Sequence, residues 1–566
     1  MLTSSVTERL DRLAPDQQAA ATMPPGPVLC VAPAGSGKTT TLVARTCWLI
    51  ADQSVLPERI SALTFNRRAA EELRERLMSA LAPLGVTTAA PPVRTFHALG
   101  LEILRDARQS PQAIIDRSNL LVELGEASAP ADIRRLDDAF SRLKLDLAVD
   151  TAVVRAEAEA EERAGRPVGQ VIRAFLRYEA ALAARSAVDF DDLVPRAVEA
   201  LQGDAALLDR WRARAEHLLV DEVQDVDRSQ LRLALLLAAP ANRIFLVGDD
   251  DQTIYAWRLA DVRRVLGLAA QLPGLQRVDL VTNYRCPAPV VQRAVRLVAV
   301  NRERFAKEIR PRADAAGSLF LDPDPGDELA RARRLLRSWP AGPGETRAVL
   351  ARTNAELSPF AAVALELGIP YRAEDDGLLL DDPALDHVLD AAAAAENDHP
   401  GPPALTLARV SRMSPMSSPG ASGPSKAVAG WDAQLLASAR EWALAYGTVA
   451  ELRSALARAR RQRTELRRSD ALLVLATIHG TKGLEFDHVA CVGLDEGRFP
   501  NARSISESVE PGRALEEERR LAYVAWTRAR RSLVLLYDAA APSVFLREAF
   551  SPNELGLPGA TPLAGR

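Results

Sequence analysis

The chain reads as an α/β protein: two parallel sheets in tandem, each flanked by helices. Three observations predict it. Eight short apolar runs recur, each ending in polar or glycine residues. They fall into two sets, with helical stretches between the runs. A glycine-rich loop follows the first run directly. Continuous apolar strands separated by helices are what a parallel sheet covered on both faces requires, because its strands meet no water on either side.

The first set is VLCVA (28–32), ISALTF (60–65), HLLVDE (217–222) and RIFLVGDD (243–250). The second is RAVLAR (347–352), LLVLATIHG (472–480), HVACVGL (488–494) and SLVLLY (532–537). Residues 105–185, rich in Ala, Arg, Glu and Leu, read as a helical excursion from the first sheet. Residues 389–469 interrupt the second. Within them, 400–425 hold six prolines, three glycines and six serines in 26 residues, a composition expected to pack no core and to form a loop. A helical hairpin is expected to follow, ending in the basic run RARRQRTELRR (458–468).

With 566 residues, 48% hydrophobic, the chain can bury several cores, and about 150 residues per domain gives three to four. The net charge of −4 shows no global basic field, although phosphate contacts need only a local basic surface. Cys30, Cys47, Cys286 and Cys491 lie far apart, so no zinc site, iron–sulfur cluster or disulfide framework is expected, and a reducing compartment is. The opening MLTSSVTERLDRLAPDQQ is polar and no run of 18 apolar residues exists, so the expectation is a cytoplasmic protein with no membrane partner. Only five of the 71 basic residues are lysine: Lys38, Lys144, Lys307, Lys426 and Lys482. A lysine retained amid so much arginine points to a place wanting a compact ammonium rather than a fork.

The loop APAGSGKTT spans Ala32, Pro33, Ala34, Gly35, Ser36, Gly37, Lys38, Thr39 and Thr40, between the first strand and a helix. Its glycines let backbone N–H groups curl around phosphates, and the helix N-terminus adds its dipole. Lys38 would reach the β/γ-phosphates and Thr39 would hold Mg²⁺. In LLVDEVQD (218–225), Asp221 at a strand end would ligate Mg²⁺ through water, and Glu222 would orient and deprotonate an attacking water. Together these parts imply ATP or a related nucleoside triphosphate. Kinases, transporters and GTPases share them, so they do not say what the energy does.

The order of further segments is more specific. LAPDQQAA (13–20), TFNRRAAEEL (64–73), RTFHALG (94–100), DFDDL (189–193), DEVQDVDRSQ (221–230), GDDDQTIYAWR (248–258), LVTNYRC (280–286), TIHGTKGLEF (477–486) and EEERRLAYVAWTRAR (516–530) follow one another along the chain. In this order the chain resembles superfamily 1 DNA helicases of the UvrD/Rep/PcrA type over nearly its whole length. The resemblance implies two RecA-like domains, with ATP bound between them and single-stranded DNA running across both. By that resemblance Gln17 would contact the adenine, Tyr284 would stack on it, and Gln252 would sense the γ-phosphate. Arg285 and Arg528 would be arginine fingers reaching in from the second domain. Phe65, Tyr255 and Trp257, flanked by Arg258, are the expected base-stacking positions. Thr95, His97, His479, Lys482 and Glu485 lie in segments expected to meet the DNA. Arg528 gains separate support from helical spacing, since Leu521, Val524, Ala525 and Arg528 fall on one apolar face where a charge needs an anion.

The resemblance divides the chain into a first domain (1–104 and 186–275) carrying a helical insertion (105–185), and a second (276–388 and 470–550) carrying a reduced insertion (389–469). A tail of 551–566 follows. Several positions depart from the family pattern. Pro33 replaces a glycine, Thr40 stands where an arginine is common, and Leu259 follows YAWR where a glycine is typical. The insertion at 389–469 is also shorter than in relatives. The function expected is an ATP- and Mg²⁺-dependent 3′→5′ helicase or translocase on single-stranded DNA and junctions, working with repair or replication proteins. Two alternatives stand beside it: an ATPase that strips proteins from DNA or needs a partner to unwind, and a non-motor ATP-gated DNA-binding module.

Overall fold

A computed structural model describes residues 8–84, 90–127, 129–146, 150–164, 168–324, 328–339, 342–375, 378, 380, 382–413, 439–440, 442–444 and 446–557. The chain divides into two compact units, Met1–Gly317 with Arg503–Thr527 and Ser318–Ala502 with Arg528–Arg566.

The first unit is built on six parallel strands: β1 (Val28–Val31), β2 (Ile60–Thr64), β3 (Val93–Thr95), β4 (His217–Val220), β5 (Ile244–Gly248) and β6 (Gln276–Asp279). Their order is β3-β2-β4-β5-β1-β6. Every residue of β1, β2, β4 and β5 is buried, which is why these segments are apolar without alternation. One face packs on Leu42, Val43, Cys47, Leu73 and Leu77, the other on Phe96, Leu99, Val194, Leu201 and Trp211. Residues 276–317, expected with the second sheet, instead supply the sixth strand of the first and pack within its unit.

Between β3 and β4 the chain runs through helices Arg117–Glu123, Pro130–Ser141, Thr151–Arg163 and Gln170–Ala184. Most of these close on Leu120, Leu121, Phe140, Phe175 and Leu182. At the neck of this excursion Arg117 bonds Asp189 and Asp191 at 2.7 and 2.6 Å. Lys144 bonds Glu179, Asp189 and Asp192 at 2.7–3.0 Å. The carboxylates of DFDDL thus form a buried ion cluster that fastens the helices to the sheet.

The second unit has strands β7 (Ser318–Asp324), β8 (Arg347–Ala351), β9 (Tyr371–Arg372), β10 (Leu473–Thr477), β11 (Phe486–Cys491) and β12 (Ala529–Asp538). They are all parallel, in the order β7-β12-β11-β8-β10-β9. The expected loop at 400–425 needs correction. Pro403–Met413 is a helix, and its Leu407 and Val410 join Leu389, Ala392 and Leu452 in the core. A proline opens this helix, where its missing N–H costs nothing, and the apolar spacing then runs at a helical period that composition alone hides. Residues 414–425, the rest of that stretch, lie outside the described residues. Most of the basic run lies on the helix Val449–Leu466, whose buried side is Val449, Leu452 and Leu456, and Arg467 and Arg468 follow its end. Among the described residues no helix is long and apolar enough to cross a membrane.

Candidate nucleotide site and nucleic-acid track

In an open parallel sheet, ligands gather where the carboxyl ends of the strands meet the loops. In the first unit these ends carry Ala32 after β1, Phe65 after β2, Asp221 after β4 and Asp249 after β5. The phosphate loop runs from Ala32 into the helix α1 (Lys38–Ala51). Gly35 and Gly37 have φ of +69° and +86°, a conformation that disfavours side chains. A Cβ on Gly35 would come within 2.8 Å of the Arg285 Cβ, and one on Gly37 within 2.5 Å of Gln17 Nε2. Pro33 fits, because its carbonyl accepts the Ser36 N–H at 3.1 Å and only its own donor is lost. Ser36 Oγ is buried and has no hydrogen-bond partner among the described residues. Thr39 is half-buried and Thr40 exposed.

Lys38 Nζ lies 3.3 Å from Glu222 Oε2. Glu222 has left-handed backbone, φ 53° and ψ 44°, and its N–H donates to Asp221 Oδ1 at 2.9 Å. Burial, and then the Glu222 charge, push the Asp221 carboxyl up to about 7, against the pull of Lys38. Such a carboxylate gains from a nearby cation, so Asp221 and Thr39 suit the Mg²⁺ that accompanies a nucleotide.

Gln224, which the motifs did not single out, joins this pair to the next loop. Its Nε2 donates to Glu222 Oε2, and its Oε1 accepts the Asp249 N–H at 3.0 Å. Gly248 makes room for it, since a Cβ there would sit 2.4 Å from that Oε1. Asp249 Oδ2 in turn accepts from Gln252 Nε2 at 2.7 Å. Lys38, Glu222, Gln224, Asp249 and Gln252 thus form one bonded chain.

Gln17 lies against the phosphate loop, its Nε2 donating to Ser36 O at 2.8 Å. Asn283 supports the loop from the other side. Its Nδ2 donates to Ala34 O at 2.7 Å, while its Oδ1 accepts the N–H groups of Arg285 and Cys286. Asn283 was legible only as part of LVTNYRC. Tyr284, partly exposed, donates its N–H to Gly35 O at 2.9 Å. Arg285 donates to Thr527 O at 3.2 Å. Arg285 was expected to reach in from the second domain. The structure instead holds it in the same unit as Lys38, because the chain through Gly317 packs there.

Aromatic side chains follow Gln252. Phe65 and Tyr255 stack at 5.1 Å with planes 15° apart, and Trp257 meets Tyr255 edge-on at 6.0 Å. Trp257 is 56% exposed, with the Arg258 guanidinium 4.6 Å over its ring. His97 stacks on Phe190 at 4.0 Å, and Phe190 is as exposed as Trp257. Phe190 was passed over within DFDDL. Burial, with a contribution from Arg258, lowers the His97 imidazole to about 4, so it is neutral near pH 7 and offers a face rather than a charge. Thr95 Oγ1 caps its helix by accepting the Ala98 N–H.

The second unit carries the remaining candidates. His479 and Lys482 lie in the turn after β10, half-buried, and Glu485 is exposed beside Arg530. Arg528 was expected on the helix with Leu521 and Val524, but that helix ends at Trp526. Arg528 follows the cap residue Thr527, is 1% exposed, and donates to Leu484 O at 3.1 Å. The spacing rule ran past the helix end because nothing in WTRAR breaks the period.

A glycine loop after β1, an acid pair after β4 with one strand between them, and a glutamine bonded to that pair define a P-loop nucleoside triphosphatase. Comparison with known proteins is more specific. Residues 13–273 match the UvrD/REP helicase N-terminal domain, and 441–539 the UvrD-like helicase C-terminal domain. The chain is 31% identical to the ATP-dependent DNA helicase UvrD2 of Mycobacterium tuberculosis, over 92% of this chain and 78% of that one. It is 27% identical to DNA helicase II of Escherichia coli, covering 94% and 85%, and to PcrA of Bacillus subtilis, covering 96% and 85%. The chain belongs to the UvrD/REP family of DNA helicases.

Proposed function

We propose that this helicase hydrolyses MgATP to move 3′→5′ along single-stranded DNA and part the duplex ahead, in repair or replication restart. One observation carries the reading: the bonded chain from Lys38 to Gln252 opens directly onto the Tyr255, Phe65 and Trp257 cluster. A change at the γ-phosphate would thus be felt within a few residues by the rings on which bases stack. Stacking is worth about 1–3 kcal/mol per base and is indifferent to sequence, as a motor on any strand requires. The resemblance supplies the polarity.

In this reading Glu222 takes the proton of the attacking water. Lys38 and Arg285 would meet phosphate charge, and Asp221 with Thr39 would hold Mg²⁺, which would supply charge shielding. Tyr284 and Gln17 lie at the adenine end. His479, Lys482 and Glu485 border the strand in the second unit. Glu222→Gln should keep ATP binding and lower kcat on the order of a hundredfold or more, as loss of a general base does. Substantial DNA-stimulated turnover in that variant would show that the base is elsewhere.

A second reading is an ATPase that translocates but needs a partner to unwind. It draws support from the 389–469 insertion, whose helix Pro403–Met413 is spent on the core of the unit.

A further inference from the structure

The Lys307 side chain is completely buried, and its Nζ lies 2.8 and 2.9 Å from Asp249 and Asp251 while also bonding Asp250. It thus meets all three consecutive carboxylates that precede Gln252. Arg304 grips Asp251 with two bonds at 2.9 and 2.7 Å, and the Phe305 N–H donates to Asp250 Oδ2 at 2.8 Å. Burial alone would lower the Lys307 pKa, but the three carboxylates drive it up, so it stays an ammonium. The same segment is clasped from behind by the helix α2 (Pro511–Trp526). Arg519 donates to Asn301 Oδ1 at 2.6 Å, and Arg520 to Glu303 O at 2.6 Å.

We propose that Lys307 is a positioning residue that fixes the Gln252 loop against the segment 301–307, and that transmission from nucleotide to DNA depends on it. The assignment rests on the reading of Gln252 given above. Asp249 is the key partner, because one carboxylate oxygen takes the Lys307 ammonium and the other takes Gln252 Nε2. With Asp249 pinned, Gln252 cannot drift without breaking a bond at a site buried from bulk solvent. A lysine suits this centre, since its compact ammonium meets all three carboxylates from one point. Asp251 and Arg304 stiffen the far side of the same loop.

Removing the ammonium alone leaves buried charge unpaired and threatens folding, so the test pairs it with a carboxylate. Lys307→Met/Asp250→Asn removes one charge of each sign. The folded variant should lose DNA stimulation of kcat on the order of a hundredfold, the scale of a small misplacement, with ATP KM shifted little. Adding Gln252→Ala should cost nothing more, because both changes act through one residue. Arg304→Gln, at the half-open edge, should show a smaller loss of the same kind and decides the matter if the buried pair fails to fold. Wild-type stimulation in the folded variants, or losses that multiply with Gln252→Ala, would overturn the assignment. Failure of the underlying functional reading would show separately, as unstimulated hydrolysis by the wild-type chain.

Discussion

Glu222 and Leu259 both carry a side chain in the left-handed region, at φ 53° and 64°. For an L-residue that costs on the order of 1–2 kcal/mol. At Glu222 the conformation turns the carboxylate toward Lys38 and Gln224, so the strain falls where the chemistry needs the group held. Leu259 closes the turn after Trp257, with its N–H on Ala256 O at 2.9 Å. Here the backbone explains why the family pattern favours glycine. Leu259→Gly should stabilise the fold by up to about 1 kcal/mol, since released strain exceeds the added freedom of the unfolded chain. A lower midpoint in chemical denaturation would contradict this. The oddity of Leu259 was legible in the sequence; the angle behind it was not. The scarcity of lysine was legible too, but two of its targets were hidden. Lys144 and Lys307 each gather carboxylates distant in the sequence, a pairing that no local pattern encodes.

Among the elements, the eight apolar runs became the eight interior strands of the two sheets. In these two sheets the strands missed are the edges: β3, β6, β7 and β9. An interior parallel strand is covered on both faces and paired on both sides, so it must be apolar throughout. An edge strand can carry Arg277 or Asp279 toward solvent and leaves a mixed sequence without a strand signature. Burial also sets a pH dependence at the start of β4. His217 is 5% exposed, and burial, followed by the Arg243 charge, lowers its pKa from 6.5 to about 4. Between those values the unfolded chain holds the extra proton. Stability is therefore full above 6.5 and falls as pH drops toward 4, by on the order of 2 kcal/mol. His97 adds a loss of the same sign. His217→Leu should flatten the fall of the melting midpoint across that window. An unaltered slope would remove His217 from the account.

At the scale of the molecule, the motifs pick out the candidate nucleotide site, because a P-loop demands glycines and a lysine at fixed spacing. They left out what supports it. Gln224, Asn283 and Lys307 perform no reaction; they hold Glu222, the phosphate loop and Gln252 in register through tertiary contacts. In the proposed function this scaffold couples ATP hydrolysis to travel along a single strand. The most direct measurement is strand displacement from 3′-tailed, 5′-tailed and blunt duplexes, beside ATPase with and without single-stranded DNA. The account predicts hydrolysis stimulated by the strand, and displacement from the 3′-tailed duplex alone. Displacement only from the 5′-tailed duplex, or hydrolysis indifferent to DNA, would contradict it.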